Sequence, residues 1–321
     1  MGIIWINYKG VLLHSQMKTN KAFIYVILVL AMVFWSFSYI WTQNVFKYLN
    51  PISTVFIRLV IASIFLMALS LILRKLQKIE KKDLYKFLLL AFFEPLMYYL
   101  GESYGLKYVA PTVAAIVIST IPLFVPFSMY FLAKEPINSG TFFGIFIAFV
   151  GVLMVVLNKD LSFSASPLGL GFLMIAVASV MGYSYILQGL TKKYNAYTII
   201  TAQNVIGIFY FLPLLLLFDF DILRTVEVNS ELVINITALA VFASALAFFL
   251  FTIGTKHIGV TKASIFTYLV PIFTAFISYH IGHEEFTPLK IAGIAVVIMG
   301  LSLSQLRLKK YLTGNRNSDQ N

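Results

Sequence analysis

The stretch GLKYVAPTVAAI, residues 105–116, has a counterpart 149 residues later, GTKHIGVTKASI at residues 254–265. The same shift, without a gap, aligns Glu135 with Glu284 and Pro122 with Pro271. It also aligns glycines 144 and 151 with glycines 293 and 300. Apolar helices share Leu and Val by composition alone, but aligned prolines, glutamates and glycines are not expected by chance. The chain therefore contains an internal duplication.

Composition places both copies in a membrane. Apolar residues make up 60% of the 321 residues and charged residues 12%, which is outside the range of soluble domains. A membrane-crossing helix needs about 20 predominantly apolar residues. Ten segments qualify: 22–45, 51–73, 84–104, 112–133, 141–157, 168–190, 197–218, 232–255, 262–281 and 289–306. These segments are continuously apolar, whereas barrel strands would alternate. The sequence predicts an all-α polytopic protein with ten transmembrane helices.

The duplication divides these helices into two sets of five. Five is an odd number, so the second copy must insert upside down, an arrangement typical of alternating-access transporters. The predicted organisation is a cytoplasmic N-terminal segment at 1–21, a first repeat at 22–157, a linker at 158–167, a second repeat at 168–306 and a cytoplasmic tail at 307–321.

Basic residues predict the orientation. With the N-terminus inside, 18 of the 24 Lys and Arg residues fall on the inner side and four on the outer side, the asymmetry of the positive-inside rule. Both termini are therefore expected in the cytoplasm, with the chain in the cell (inner) membrane. The net charge of +11 follows from this topology and from contact with the lipid bilayer, and no nucleic-acid partner is expected.

The ends of the two repeats resemble a known family. Each copy has a proline within a helix, a glutamate at the helix end and a glycine-bearing last helix: IPLFVPFSMYFLAKEPINSGTFFGIFIAFVG and VPIFTAFISYHIGHEEFTPLKIAGIAVVIMG. With FWSFSYIWTQ at 34–43 and Arg58 in the second helix, the chain resembles the EamA-domain exporters of the drug/metabolite transporter superfamily. Ser36 departs from the usual glycine, and the second copy has no arginine matching Arg58. The resemblance implies ten helices, a central cavity and export of small metabolites, often amino acids or related compounds.

Ionisable residues within the spans are the first candidates for a site. Arg58 lies seven residues inside Pro51, and Glu94 lies near the middle of the third span. Such charges face a cavity or a partner because a charge near mid-span costs about 3 kcal/mol. Glu102 and Tyr98 share about one helix face with Glu94. The functional interpretation is a site for a substrate amine or for a coupling proton. The alternatives are a structural ion pair of Arg58 with either acid, or snorkelling of Arg58 to the interface.

Aromatic and amide side chains extend this candidate site. The resemblance places Trp35, Tyr39, Tyr185 and Tyr268 on cavity helices, where aromatic faces suit organic solutes and cations. Interfacial aromatic belts are the alternative. The amide side chains proposed to line the substrate path are those of Gln43, Asn44, Gln188, Gln203 and Asn204. The alternative role, which is at least as common for such residues, is hydrogen bonding between helices.

Two further features are mechanical. Pro122 and Pro271 would let the fourth and ninth helices bend as gates, with a static kink as the alternative. Glu135 and Glu284 are expected to hold closing contacts at equivalent helix ends. A stripe of small residues on the fifth helix, at 140, 144, 148 and 151, suits close helix packing, either within the chain or in a homodimer.

Several functional classes find no support in the sequence. The chain has no cysteine, no metal-ligand spacing, no cofactor motif and no nucleotide-binding loop. The hypothesis is therefore secondary transport of a small polar or zwitterionic metabolite, driven by its own gradient or by proton exchange at Glu94. The alternatives are a membrane scaffold or lipid-binding protein without transport and, with less support, an intramembrane enzyme.

Overall fold

The structure is a computed structural model that describes residues 21–109, 114, 117–136, 139–156, 166–280 and 287–305. Ten helical segments lie within these residues. They are α1 Lys21–Val45, α2 Pro51–Ile72, α3 Lys81–Tyr108, α4 Ile121–Ala133, α5 Ser139–Val156, α6 Pro167–Leu190, α7 Ala196–Thr225, α8 Ser230–Ile258, α9 260–280 and α10 Pro288–Gln305. Four of them, α3, α7, α8 and α9, contain a short 3₁₀ or π-helical turn.

The apolar segments of the sequence become these helices. Seven of them, α1, α2, α3, α6, α7, α8 and α9, are long and apolar enough to cross a membrane, and α4, α5 and α10 are shorter apolar helices. Exposed Leu, Ile and Phe side chains cover the outer faces, as at Phe146 and Phe209, which is the surface that a helix presents to lipid. The all-α membrane fold predicted from the sequence is confirmed.

The helices pack in pairs that follow the duplication, with α1 equivalent to α6, α2 to α7 and so on. Helix α5 packs against α10, and α2 against α7. Helix α1 packs against α8 and α9 of the other copy, and α6 packs against α3 and α4. Each contact thus has a counterpart in the other copy, so most of the core forms between the repeats.

Small residues bring α5 and α10 into backbone contact. A Cβ atom added at Gly144 would lie 2.4 Å from the Ser304 nitrogen, and one added at Gly300 would lie 2.4 Å from the Ala148 nitrogen. Gly151 meets Val297 in the same way, at 2.6 Å from its nitrogen. The stripe of small residues therefore packs within the chain, and a homodimer would have to use another surface.

Two helices in each repeat are irregular at equivalent positions. Helices α3 and α8 widen into π-helical turns at Phe92–Met97 and Leu239–Ala247. In the fourth span the chain turns at Ser119 and Thr120 immediately before α4, so Pro122 lies in the first turn of that helix. At the equivalent point, α9 passes through a 3₁₀ turn at Phe266–Tyr268 before Pro271.

Each repeat also contributes a Lys-Tyr pair that binds an acid of the other repeat; we call these the two Lys-Tyr clamps. The first clamp joins Lys47 Nζ to Glu231 Oε1 at 2.9 Å and the Tyr48 hydroxyl to Glu231 Oε2 at 2.8 Å. The second, 146 residues on in sequence, binds the start of α3.

In the second clamp, Lys193 Nζ and the Tyr194 hydroxyl donate to Asp83 Oδ2 at 2.5 and 2.9 Å. Lys193 also pairs with Glu80 at 2.7 Å. The Asp83 and Glu80 carboxylates raise the pKa of the Lys193 ammonium above its usual value. The Asp83 side chain is 4% exposed and that of Glu231 is 44% exposed, so the second clamp is less screened by solvent.

Candidate functional site

A cavity of about 100 Å³ lies where the two repeats meet. Its walls come from α1, α2, α3, α6, α8 and α9 and from the residues around the start of α4. Seven of the residues predicted from the sequence line it: Trp35, Tyr39, Arg58, Glu94, Tyr98, Glu102 and Pro271. The structure therefore brings both predicted acids and the predicted arginine to one enclosure.

Glu94 lies in the wide turn of α3. Its backbone leaves the helical region, with φ −143° and ψ 117°, and Pro95 follows it. Only 3% of the residue is exposed, and its Oε2 accepts a hydrogen bond from the Gln203 amide on α7. Wide helical turns are frequent at functional sites, and this one directs a carboxylate into the interior of the bundle.

Arg58 is held from the opposite repeat. Its Nε donates to the Ser244 hydroxyl in the wide turn of α8 at 2.7 Å, and its guanidinium carbon lies 4.1 Å from the centre of the Tyr99 ring. Arg58 is 4% exposed and makes no ion pair within 4 Å among the described residues. The ion pair with Glu94 or Glu102 that the sequence allowed is therefore not formed.

The two contacts are related by the duplication. Glu94 and Ser244 both lie in the wide turn of the third helix of a repeat, and each is bound from the second helix of the other repeat, by Gln203 and Arg58. Gln203 was among the amides proposed from the sequence, whereas Ser244 was not. The sequence signal for Ser244 was its alignment with Pro95 under the 149-residue shift.

Aromatic rings form much of the remaining wall. The Tyr98 hydroxyl donates to Glu102 Oε1 at 2.9 Å, one helical turn away. The Trp35 ring lies 5.0 Å from Phe248 and 5.3 Å from Phe251, centre to centre. Such an enclosure can hold an organic solute by its apolar faces while hydrogen bonds and charges orient its polar groups.

Eight predicted residues do not line this cavity. Three of them are the amides Asn44, Gln203 and Asn204, which donate hydrogen bonds to Asn235, to Glu94 and to the Ile200 carbonyl. Gln43 is exposed near the end of α1, and Tyr185 is 42% exposed on α6. Tyr268 is fully buried, and its hydroxyl has no hydrogen-bond partner among the described residues. Pro122 is buried in the first turn of α4, beside the cavity residue Ile121. The eighth, Gln188, lies near the end of α6.

Gln188 instead connects three helix ends. Its Nε2 donates to Glu135 Oε1 at 3.4 Å, and its Oε1 accepts from the Val260 backbone amide at 2.8 Å. These bonds tie the end of α6 to the residue after α4 and to the start of α9. Glu135 thus takes part in a contact between helix ends, whereas Glu284 lies outside the described residues.

The fold and the site together define a class. Two five-helix repeats around a buried, charged cavity form the architecture of secondary membrane transporters. The model of the EamA-like transporter family matches residues 22–157 and 167–305. The chain belongs to this family, within the drug/metabolite transporter superfamily, and is a multi-pass membrane transporter of small molecules, which removes the enzyme alternative.

Known proteins similar to this chain agree with that assignment. An uncharacterized transporter of Archaeoglobus fulgidus is 27% identical over 282 residues, covering 87% of this chain and 96% of the relative. The uncharacterized transporter YetK of Bacillus subtilis is 28% identical over 262 residues, or 79% of this chain and 78% of the relative. A protein of known crystal structure matches the fold with a TM-score of 0.74 at 17% identity, covering 88% of this chain and 98% of that chain.

Proposed function

We propose that this transporter exports small polar or zwitterionic metabolites, such as amino acids or related compounds, by alternating access. The observation that carries this proposal is the pair of opposite charges, Arg58 and Glu94, which line one cavity without pairing with each other. Each is bound by neutral groups of the other repeat.

A zwitterion complements this arrangement. A buried charge is costly unless it is paired, and Arg58 retains donors beyond the Nε that binds Ser244. A substrate carboxylate would pair with these donors, and a substrate ammonium would pair with Glu94. The ring of Trp35 and its aromatic neighbours would contact the apolar part of the molecule. A scaffold or lipid-binding protein would have no use for these central charges.

The duplication supports alternating access. Because the repeats are inverted, contacts at one membrane face have counterparts at the other, and exchanging the two conformations exposes one site to each side in turn. We place the gates at the irregular turns before Pro122 and Pro271. The amide of Gln188 would close one end by joining Glu135, just after α4, to Val260 at the start of α9.

The charge of the cavity supports a coupling ion. Glu94 and Glu102 outnumber Arg58 among the ionisable acids and bases that line it, so a proton or a cationic group would balance the excess. We propose Glu94 as the site of proton exchange because it is the more buried acid, in direct contact with α7. Both termini lie in the cytoplasm in this proposal.

The extracellular metabolite profile of producing cells tests the function. Cells with the wild-type chain are compared with cells that hold Glu94→Gln and, as the matched control, Glu227→Gln, an exposed acid outside the cavity. At equal amounts in the membrane, the wild type and the control should enrich the same compound, and Glu94→Gln should not. Equal enrichment by all three would refute a role of Glu94, and no enrichment by the wild type in any of a range of media would refute export.

A further inference from the structure

The segment between α2 and α3 concentrates positive charge on one surface; we call residues 73–82 the basic loop. Arg74, Lys75, Lys78, Lys81 and Lys82 are all exposed there. Lys82 pairs with Glu80 at 3.0 Å. The other four make no ion pair within 4 Å among the described residues.

The basic loop is held in place by the other repeat. The Gln77 backbone amide donates to Thr198 Oγ1 at 2.8 Å, and the Glu80 amide donates to the Tyr194 hydroxyl at 3.2 Å. Asn195 donates from its backbone to Gln77 Oε1 at 2.6 Å and from its side chain to the Lys75 carbonyl at 2.7 Å. Its cationic side chains therefore extend from a fixed backbone, so a ligand that contacts them orders only the side chains.

Apolar side chains flank the cations. Leu73 and Leu76 are 45% and 43% exposed, and Tyr85, just beyond the loop, is 57% exposed. Exposed leucine and tyrosine beside lysine and arginine suit the boundary between lipid headgroups and acyl chains, where amphipathic side chains are stable.

The fold itself does not require this charge. The equivalent connection in the other repeat joins α7 to α8, and residues 220–231 around it carry one cation, Arg224, and three carboxylates, Asp221, Glu227 and Glu231. Residues 74–86 carry six cations and two carboxylates. The same loop position therefore forms with either sign of charge. The positive charge of the first copy agrees with the cytoplasmic side expected from the positive-inside rule, where anionic lipid attracts basic segments.

We infer that the basic loop is a binding site for anionic phospholipid headgroups. Their phosphates would pair with Arg74, Lys75, Lys78 and Lys81 while Leu73, Leu76 and Tyr85 contact the glycerol and acyl region. Each basic residue near an anionic membrane surface contributes about fivefold in affinity, so several on one fixed loop distinguish anionic from neutral lipid. Bound lipid stabilises the α2–α3 connection, which joins the helices of Arg58 and Glu94.

Thermal unfolding of the purified full chain in neutral detergent tests the inference. Phosphatidylglycerol and phosphatidylcholine with identical acyl chains are added at the same concentration. The first variant, Arg74→Gln/Lys75→Gln/Lys78→Gln, removes three charges of the loop. The matched control, Lys107→Gln/Lys134→Gln/Lys256→Gln, removes three exposed charges elsewhere.

Phosphatidylglycerol should raise the Tm of the wild type and of the control, and the loop variant should lose most of that rise while keeping its Tm in phosphatidylcholine. The rise should shrink with added salt, because the contact is electrostatic. If the triple variant is unstable in both lipids, the single Lys78→Gln variant should show a reduced rise. The inference is overturned if the loop variant responds like the wild type, if the control loses the response equally, or if inorganic phosphate alone reproduces the full rise.

Discussion

Substitution of Gly144 by alanine tests the packing of α5 on α10. The new Cβ would lie 2.4 Å from the Ser304 nitrogen and 2.6 Å from the Gly300 carbonyl oxygen. Both obstacles are backbone atoms, which cannot rotate away. Ordinary carbon contacts begin near 3.5 Å, so the two helices would have to separate by about 1 Å.

The change in the free energy of unfolding that Gly144→Ala causes is the difference between two opposing effects. Overpacking costs about 1–3 kcal/mol, and replacing a helical glycine by alanine returns about 0.5–1 kcal/mol of backbone entropy. Because backbone atoms of α10 obstruct the new methyl group from more than one direction, we take the upper part of the first range. We expect a net loss of about 2 kcal/mol in the free energy of unfolding.

Gly171 on α6 is the matched control. A Cβ added there has no neighbour within 4 Å, so Gly171→Ala should be neutral or stabilising by up to about 1 kcal/mol. The assay is thermal unfolding of both variants in detergent, with the oligomeric state measured by light scattering. An unchanged Tm for Gly144→Ala, or an effect confined to the oligomeric state, would show that the stripe packs against another copy and not against α10.

Three further outcomes follow from the contacts of the site and the clamps. Ser244→Ala removes the acceptor of the buried Arg58 Nε and should cost about 1–3 kcal/mol in thermal unfolding; an unchanged Tm would show that water replaces the hydroxyl. Asp83→Asn should lower the Tm more than Glu231→Gln, since the Asp83 side chain is 4% exposed and that of Glu231 44% exposed. Equal decreases in Tm would show that the two clamps contribute equally to stability. Transport by the wild type in liposomes should depend on pH, whereas any residual transport by Glu94→Gln should not, and a residual rate that varies with pH would exclude Glu94 as the proton site.

The fold could be predicted from the sequence because the two signals used, the hydrophobicity of the spans and the internal duplication, extend over the whole chain. Span hydrophobicity determines how many helices cross the membrane, and the aligned prolines and glutamates determine how those helices are related. The cluster of Arg58, Glu94 and Glu102 was predictable for a related reason. A charge inside an apolar span needs a polar environment, and a ten-helix bundle of this size offers few such places.

The remaining site residues depended on helix rotation and depth, which a single sequence does not encode. Gln43 lies four residues beyond the cavity residue Tyr39, about 6 Å along α1, where its side chain is exposed. Tyr185 is next to the cavity residue Ser184 but points about 100° away from it around the helix. The alignment of Ser244 with Pro95 indicates where Ser244 lies along α8, but not that the wide turn of that helix directs its hydroxyl to the Arg58 guanidinium.

The central claim is that one cavity opens in turn to each side of the membrane. The chain has no cysteine, so Ser38→Cys places a single thiol in the cavity wall, where the native hydroxyl donates to the Trp35 carbonyl of its own helix. Membrane-impermeant maleimide is applied to right-side-out and to inside-out vesicles. The account predicts labelling from both sides, in membranes that stay impermeable to the reagent. Labelling from one side alone, with transport intact, would contradict it.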